Sequence, residues 1–170
     1  EGDLRGDPHV HTDLSGDGRE PLEAMVAAAA ARGYEYLAIT DHGEDLAING
    51  VSREGMLAQR SRLRALQEQY PGTTLLHGVE LNIGPEGAVD YDPEFLAGFD
   101  WAVAGVHSRF ELSREVQTKR IVAAMRNPAV RAIAHPTGRR IGLRAGIDVD
   151  FERIRQDQAI EVEVPIRLVG

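Results

Sequence analysis

Short apolar runs alternate with helical patterns along the chain. Six of the runs have the length of strands, and most are rich in β-branched or aromatic residues. Between them, apolar residues recur at helical spacing, and polar or glycine-rich loops intervene. Because strands that alternate with helices form mostly parallel sheets with covered faces, the pattern predicts an α/β fold. The predicted strands cover residues 8–11, 36–40, 74–81, 101–106, 130–134 and 159–164.

Start and stop signals bound the helical segments. Pro21 suits the first position of a helix that Gly33 ends. A second helix is closed by Pro71-Gly72, and Asp92-Pro93 is typical of a cap followed by a first turn. Ser113 suits the cap of a further helix that runs to residue 126. The apolar positions of the first two helices are Leu22, Met25, Val26 and Ala29, and Met56, Leu57, Leu63 and Leu66.

The composition of the 170 residues, with 42% apolar and 27% charged residues, is that of an ordinary globular domain. No apolar stretch approaches the roughly 20 residues needed to cross a bilayer. No export leader opens the chain, so the cytoplasm is the expected location. The absence of cysteine excludes disulfides and thiolate metal sites. A net charge of -8 argues against bulk coating of nucleic acid but does not exclude a nuclease.

Metal-binding side chains end five consecutive predicted strands. In parallel α/β folds, functional groups gather at the C-terminal ends of the strands. Five of the six histidines fall at these ends, which a set of unrelated packing histidines does not explain. The sixth, His77, is three residues from Glu80 and should face the other way, so we assign it to packing or surface. The strand-end candidates are His9, His11, His42, Glu80, His107 and His135.

Further acids and arginines extend the candidate site. Asp17 lies in a glycine-flanked loop and is either a ligand or a turn aspartate. Asp7 and Asp41 flank the histidines and could orient them from behind, although Asp41 could equally be a cap. An arginine-rich loop after the fifth strand suggests a phosphate clamp, the alternative being solvated surface charge. The arginine candidates are Arg139, Arg140, Arg144 and, more weakly, Arg109.

Nitrogen and oxygen ligands without sulfur predict zinc, manganese or iron, whereas calcium and magnesium prefer all-oxygen sites. The number of ligands exceeds that of a mononuclear site, so two to three ions bridged by Glu80 fit better. Such clusters clamp a phosphate and turn a bound water into hydroxide near neutral pH. No nucleophile elbow surrounds Ser108, and no dinucleotide or triphosphate loop is present. The predicted chemistry is therefore attack of a metal-bound hydroxide on a phosphoester.

With these residues, the sequence resembles the polymerase and histidinol phosphatase (PHP) family of phosphoesterases. The order and spacing of the family motifs hold from about residue 6 to residue 167. Within the family, residues 33–36, 135–139 and 159–168 resemble the domain attached to bacterial family-X DNA polymerases. Those domains are similar to metal-dependent 3′–5′ exonucleases. The matching motifs are Asp7-Pro8-His9-Val10-His11-Thr12, Ser15-Gly16-Asp17-Gly18, residues 36–42, Gly78-Val79-Glu80, Val106-His107-Ser108 and Ala134-His135-Pro136.

The resemblance implies a TIM-like distorted (β/α)7 barrel with three metal ions. The family usually has Ser-Asp-Gly where this chain has Ser15-Gly16-Asp17-Gly18, and an apolar residue in place of Pro8. It also closes its site with a later Asp-x-His pair that this chain lacks. We therefore expect one domain over residues 1–170, truncated before its last strands, with residues 1–5 as the end of a linker. By motif, the ligand sets would be His9, His11 and Glu80; Glu80, His107 and His135; and Asp17 and His42.

Three functions follow as alternatives. The leading one is a 3′–5′ exonuclease that acts on a DNA 3′ end and is covalently linked to a family-X polymerase module. The second is a stand-alone phosphatase for a small monoester such as histidinol phosphate. The third is a non-catalytic scaffold domain of a polymerase, against which the seven retained ligands argue. The expected partner is thus DNA or a small phosphate ester, and no membrane.

Overall fold

The computed structural model describes residues 4–157, so the strand predicted at residues 159–164 lies outside the described residues. In this part of the chain, strands and helices alternate as predicted. The strands are β1 Gly6–Val10, β2 Tyr36–Ile39, β3 Thr74–Asn82, β4 Trp101–Gly105 and β5 Ala132–Ile133. The helices are α1 Leu22–Ala31, α2 Arg53–Gln69, α3 Pro93–Leu96, α4 Arg114–Met125 and α5 Phe151–Asp157.

The five strands form one parallel sheet in the order β1-β2-β3-β4-β5. The sheet curls into a half-barrel, and helices connect its strands. This confirms the α/β class and agrees with part of a TIM-like distorted barrel. All strands run the same way, so their C-terminal ends meet at one edge, where side chains from different strands converge.

Pro8 lies in β1, which is an edge strand of the described sheet. A proline cannot donate a ladder hydrogen bond, so an edge strand or an irregularity suits it. The register between β1 and β2 shifts between Asp7 and Val10. Beyond the irregularity, Thr40 N donates to Val10 O at 2.8 Å, so β1 and the end of β2 stay paired where the site begins.

Two hydrophobic clusters hold the helices to the sheet. One packs α1 and α2 on β1, β2 and the start of β3, and the other joins the end of β3 and β4 to α4. Leu57 was expected on the apolar face of α2, but the side chain is exposed because Met56, Leu63 and Leu66 already fill the helical stripe that faces the sheet. The buried apolar residues of the first cluster are Val10, Leu22, Val26, Ala29, Leu37, Ile39, Leu63, Leu66 and Leu75.

His77 packs in the interior, as predicted. Its ring stacks on Phe99, with ring centroids 4.9 Å apart, and its Nδ1 accepts a hydrogen bond from Arg60 Nε at 3.3 Å. Burial, aided by Arg60 and Arg64, lowers the pKa of His77 to about 4. The ring is therefore neutral near pH 7 and takes no part in the site at the strand ends.

The predicted capping residues bound their helices. The side chain of Asp92 accepts from Phe95 N at 2.9 Å, and that of Ser113 accepts from Val116 N at 3.5 Å. Pro21 differs slightly: its ψ of 160° makes it the N-cap, and α1 begins one residue later than predicted. The short α5 was not predicted from the sequence.

Candidate metal centre

Five imidazoles form a closed ring around the carboxylate of Glu80. They come from the ends of β1, β2, β4 and β5, while Glu80 lies on β3 between them. The parallel sheet thus brings together the six strand-end residues that the sequence singled out. Successive ring centroids are separated by 5.1 Å (His9–His11), 4.6 Å (His11–His42), 4.9 Å (His42–His107), 5.2 Å (His107–His135) and 6.3 Å (His135–His9).

Both oxygens of Glu80 face ring nitrogens, and the side chain is only 1% exposed. No lysine or arginine of the described residues forms an ion pair with it. Burial acts to raise the pKa of Glu80, but the imidazoles of His107, His11 and His135 close to its oxygens outweigh it and hold the pKa far below its usual range. The Oε2 distances are 3.0 Å to His11 Nε2, 3.3 Å to His42 Nδ1 and 3.6 Å to His9 Nε2; the Oε1 distances are 3.0 Å to His107 Nε2 and 2.6 Å to His135 Nε2.

Asp17 reaches the ring from the loop after β1. Its Oδ2 lies 2.7 Å from His42 Nε2, and Asn49 Nδ2 donates to its other oxygen. The extra residue of this loop, Gly16, has a φ of +73°, a conformation that favours glycine. The insertion relative to the usual family motif therefore does not carry Asp17 away from the site.

Three groupings of side chains have ligand atoms within 4.8 Å of one another, which suits donors that share one ion. The first contains the residues expected from the motifs. The others differ: His11 joins Asp17 and His42, and His42 takes the place expected for His135 beside Glu80 and His107. The groupings are His9, His11 and Glu80; His11, Asp17 and His42; and His42, Glu80 and His107.

The donor chemistry fits divalent metal ions. Neutral imidazole and carboxylate are the ligands of zinc, manganese and iron sites. Two buried ring nitrogens, His42 Nδ1 and His107 Nδ1, have no hydrogen-bond partner among the described residues, a costly arrangement for polar atoms in the interior. Burial also lowers the pKa values of His9 and His42, which keeps both rings neutral and able to coordinate.

His135 is the most exposed histidine of the ring, with 44% of its side chain exposed. The hydrogen bond with Glu80 raises the pKa of His135. The backbone φ of His135 is +30°, a strained value for a residue with a Cβ, of the kind that clusters at functional sites. Next to it, Gly105 leaves no room for a side chain, since a Cβ there would lie 2.7 Å from His135 Cε1 and 2.8 Å from Glu80 Oε1. The close approach at Gly105 was not predicted from the sequence, in which this residue is only a glycine inside a strand.

Asp41 and Asp7 support the histidines in different ways. Asp41 is fully buried and accepts hydrogen bonds from Thr12 N, Thr12 Oγ1, Ser15 Oγ and Gln59 Nε2. It therefore ties the loop after β1 to α2 and is not a helix cap. Asp7 accepts from His9 N at 3.0 Å, so it orients the backbone of His9 and not the ring.

A cleft of about 770 Å³ leads from His42, His107 and His135 to the arginine-rich loop. Arg139 and Arg140 line it, are exposed, and have no ion pair among the described residues. Arg144 also lines the cleft, but its Nε and Nη2 donate to Gly138 O at 3.0 and 2.6 Å, and its guanidinium lies 3.6 Å from the ring centroid of Phe110. It therefore braces the loop.

Arg109 does not belong to this cleft. It is absent from the lining residues, and its Nη1 lies 3.6 Å from Glu111 Oε1 at the surface. The structure thus brings two of the four candidate arginines to the cleft with free guanidinium groups, one as a brace, and leaves one outside.

A family model described as "PHP domain" matches residues 7–158, most of the chain. The chain belongs to the PHP domain family. The resemblance inferred from the strand-end motifs is therefore confirmed. The family match and the phosphatases among the relatives also confirm the predicted enzyme class, a metal-dependent phosphoesterase.

The relatives of this PHP domain carry two kinds of name. It is 40% identical over 154 residues to the "DNA polymerase/3'-5' exonuclease PolX" of Bacillus subtilis, which covers 90% of this chain and 27% of that protein. It is 35% identical over 133 residues to a "Probable phosphatase" of Acetivibrio thermocellus, covering 76% of this chain and 53% of that protein. The chain thus spans about a quarter of the first relative and about half of the second.

A solved structure has a similar fold. The histidinol phosphate phosphatase of Lactococcus lactis, in complex with zinc, L-histidinol and phosphate, matches with a TM-score of 0.54 and 18% identity. The match covers 79% of this PHP domain and 58% of that chain, and at this identity it supports the fold alone.

Within residues 4–157, no helix is both long enough and apolar enough to cross a bilayer.

Proposed function

We propose that this PHP domain is a metal-dependent 3′–5′ exonuclease that hydrolyses phosphodiester bonds at a DNA 3′ end, within a protein that also carries a family-X polymerase module. The observation that carries the proposal is the closed ring of five imidazoles around one buried carboxylate. Such a set of neutral nitrogen donors and shared oxygens suits a cluster of two to three zinc, manganese or iron ions. When bound, such ions polarise a phosphate and provide a hydroxide nucleophile near neutral pH.

The residues of the chain divide the work around that cluster. Glu80 would hold ions on both sides, because its two oxygens face different histidines of the ring. Asp17 and His42 would hold an ion at the side where the loop after β1 closes the site. His135, the most exposed member of the ring, faces the cleft by which a phosphoester would enter. Seven candidate ligands from five strand ends and one loop argue against a non-catalytic scaffold, which has no use for them.

Two observations favour DNA over a small monoester. Arg139 and Arg140 present free guanidinium groups along the cleft and away from the ring, where further phosphates of a strand would lie. The polymerase and exonuclease relative is also matched over more of this chain, and at higher identity, than the probable phosphatase. A net charge of -8 on these 170 residues opposes the approach of DNA, so local contacts with basic side chains matter more.

Hydrolysis of a small phosphomonoester is the second candidate function. Several relatives bear the name probable phosphatase, and a histidinol phosphate phosphatase shares the fold. The same metal cluster would serve either reaction, because both involve attack on phosphorus. Whether the substrate is DNA or a small monoester therefore depends on the residues of the cleft and not on those of the histidine ring.

The test is hydrolysis by the purified chain, with Mn²⁺ added, of a 5′-labelled oligonucleotide and, separately, of histidinol phosphate. We expect a ladder that shortens from the 3′ end and disappears with chelator. His107→Ala should abolish it, by at least about 100-fold, since it removes a ligand and little core volume. Phosphate release from histidinol phosphate alone would establish the second candidate. Activity retained in His107→Ala with unchanged metal content would contradict the assignment of the ring.

Arg139→Ala combined with Arg140→Ala tests the cleft in the same assay. We expect weaker binding of the oligonucleotide and a less steep dependence on salt, because two phosphate contacts are lost. Hydrolysis of bis(p-nitrophenyl) phosphate, which is too small to reach both arginines, should change little. Arg32→Ala, at the end of α1 and outside the cleft, is the matched control.

A further inference from the structure

Two hydroxyl groups contact the histidines at the end of β1. Each contacts Nδ1, the ring nitrogen that faces away from Glu80. His9 Nδ1 is 2.8 Å from Thr40 Oγ1, and His11 Nδ1 is 3.2 Å from Ser15 Oγ. A neutral imidazole carries one N–H and one lone pair. The role that each hydroxyl takes towards Nδ1 therefore decides whether Nε2 offers a proton or a lone pair to the site.

The hydrogen of Ser15 is already committed. Ser15 Oγ lies 2.6 Å from Asp41 Oδ1, and an ionised carboxylate can only accept, so the hydroxyl donates to it. Thr12 and Gln59 also donate to the fully buried Asp41, and its Oδ1 lies 3.9 Å from His11 Nδ1, too far for a direct hydrogen bond. Ser15 Oγ can then only accept from His11, so His11 has its proton on Nδ1.

Thr40 acts in the same direction with a different acceptor. Its hydroxyl donates to the carbonyl of Val10 at 3.3 Å, which leaves the oxygen to accept from His9 Nδ1. Thr40 is itself fully buried and follows directly after β2, so it is held in place by the sheet. A carbonyl at 3.3 Å is a weaker acceptor than a carboxylate at 2.6 Å, so the bias on His9 is smaller than that on His11.

The lone pairs of both Nε2 atoms then face the same oxygen. Glu80 Oε2 lies 3.0 Å from His11 Nε2 and 3.6 Å from His9 Nε2. Three electron-rich atoms that face one another repel, unless a cation lies among them. In the other tautomer, each ring would donate Nε2–H to Glu80 and satisfy the carboxylate with no ion at all.

We propose that Thr40 and Ser15 are positioning residues whose hydroxyls hold His9 and His11 in the Nδ1–H tautomer, with Asp41 directing Ser15 from behind. These hydroxyls favour rings whose Nε2 lone pairs can bind an ion. They disfavour the tautomer in which Nε2–H groups donate to Glu80 in place of the ion. The arrangement is the carboxylate–histidine–metal relay with a hydroxyl inserted between carboxylate and histidine. The inference rests on the metal dependence of the proposed function but not on the substrate.

Nitrogen NMR of the metal-free full chain tests the tautomers directly. With ¹⁵N-labelled histidine, at a pH where the rings are neutral, two-bond correlations distinguish a protonated Nδ1 from a protonated Nε2. We expect His9 and His11 to be Nδ1–H in the unaltered chain. Ser15→Ala should shift His11, and Thr40→Val should shift His9, towards the Nε2–H form, each without affecting the other. A finding of Nε2–H in the unaltered chain would overturn the inference before any variant is made.

Zinc titration of the same samples gives a second readout that needs no substrate. Each variant should bind the ion of the His9, His11 and Glu80 grouping roughly 10- to 100-fold more weakly. Ser15→Thr and Thr40→Ser keep a hydroxyl and should restore both tautomer and affinity, which separates this role from one in packing. Unchanged affinity in both hydroxyl-free variants would reject the inference. Loss of DNA hydrolysis with normal tautomers and zinc binding would instead count against the proposed substrate.

Discussion

Glu80 belongs to two of the three groupings of metal-binding side chains, whereas Asp17 belongs to one. The difference follows from geometry. The Oε2 of Glu80 faces the histidines of β1 and β2, and its Oε1 faces those after β4 and β5. Asp17 touches only His42 within the ring. Replacing Glu80 by glutamine would therefore remove a charged ligand from two groupings, and replacing Asp17 by asparagine from one. Both changes leave the side-chain volume nearly unchanged.

We expect Glu80→Gln to lower the bound metal by about two ions per chain and Asp17→Asn by about one, because an amide is a poor bridge between cations. Metal content after dialysis, measured by plasma mass spectrometry, checks this. Asp13→Asn is the matched control, since Asp13 lies in the same loop and in none of the groupings. Equal losses in the two site variants would mean that Glu80 does not bridge.

The sequence predicted the ring, with Asp7 and Asp41 as supports, but not the hydroxyl groups that contact its histidines. Histidines at strand ends are visible in one dimension, because a parallel sheet brings every strand end to the same edge. Thr40, the last residue of a predicted strand, and Ser15, in a loop, could not be assigned this role, since the partner of a hydroxyl depends on which neighbouring strand it meets. The role of Gly105 could not be predicted for a related reason: the atoms that exclude a Cβ there belong to Glu80 on β3 and to His107 and His135, beyond the ends of β4 and β5.

At the scale of elements, one buried cation joins α4 to the loops that follow β3 and β4. Arg120 is only 1% exposed, and its guanidinium donates to the carbonyls of Ile83, Gly84 and Ser108. These carbonyls lie just beyond Glu80 and His107 in the chain. Burial lowers the pKa of Arg120, but the three carbonyls and Gln117 Oε1 accept hydrogen bonds from its guanidinium. The residue thus fixes two strand ends of the metal centre from outside it.

Arg120→Met should lower the free energy of unfolding by about 2–4 kcal/mol, since three buried carbonyls lose their donor. Urea denaturation followed by circular dichroism measures the loss. Lys119→Met, one residue earlier on α4, removes only an exposed pair with Glu115 and should cost at most about 0.5 kcal/mol. If the two variants are equally stable, Arg120 does not hold the loops together.

The elements themselves were predicted closely where a pattern is local. Four strands agree with their apolar runs to within a few residues, but β5 is shorter than predicted, because only Val103 and Ala104 of β4 pair with it. Arg120 could not be distinguished from the surface charges of α4, because its carbonyl acceptors lie 12 to 37 residues away in sequence. The strand expected at residues 159–164 lies outside the described residues and stays a prediction.

At the scale of the whole molecule, a buried acid outside the metal centre, Asp90, makes stability depend on pH. Asp90 is fully buried in the loop between β3 and α3, and its Oδ2 accepts from Asn82 N at 2.9 Å. Burial raises its pKa to about 7, against the opposing effect of this hydrogen bond, and the nearby charges of Asp45 and Glu44 raise it further. The folded chain therefore keeps a proton on Asp90 at pH values where the unfolded chain has released it.

The sign of the effect follows from that difference. An acid with a raised pKa in the folded state contributes stability below its ordinary pKa of 3.8, and this is lost as pH rises through about 7. Asp90→Asn cannot ionise, so its stability should match that of the unaltered chain near pH 4. Above pH 7 it should exceed it by on the order of 2 kcal/mol. Urea midpoints of the two metal-free proteins from pH 4 to 9 give the curve, with exposed Asp148→Asn as a control that should show no such divergence. If the difference in urea midpoint between the two proteins is the same at every pH, Asp90 does not titrate near neutral pH. Contacts other than a retained proton would then offset the cost of burying its carboxylate.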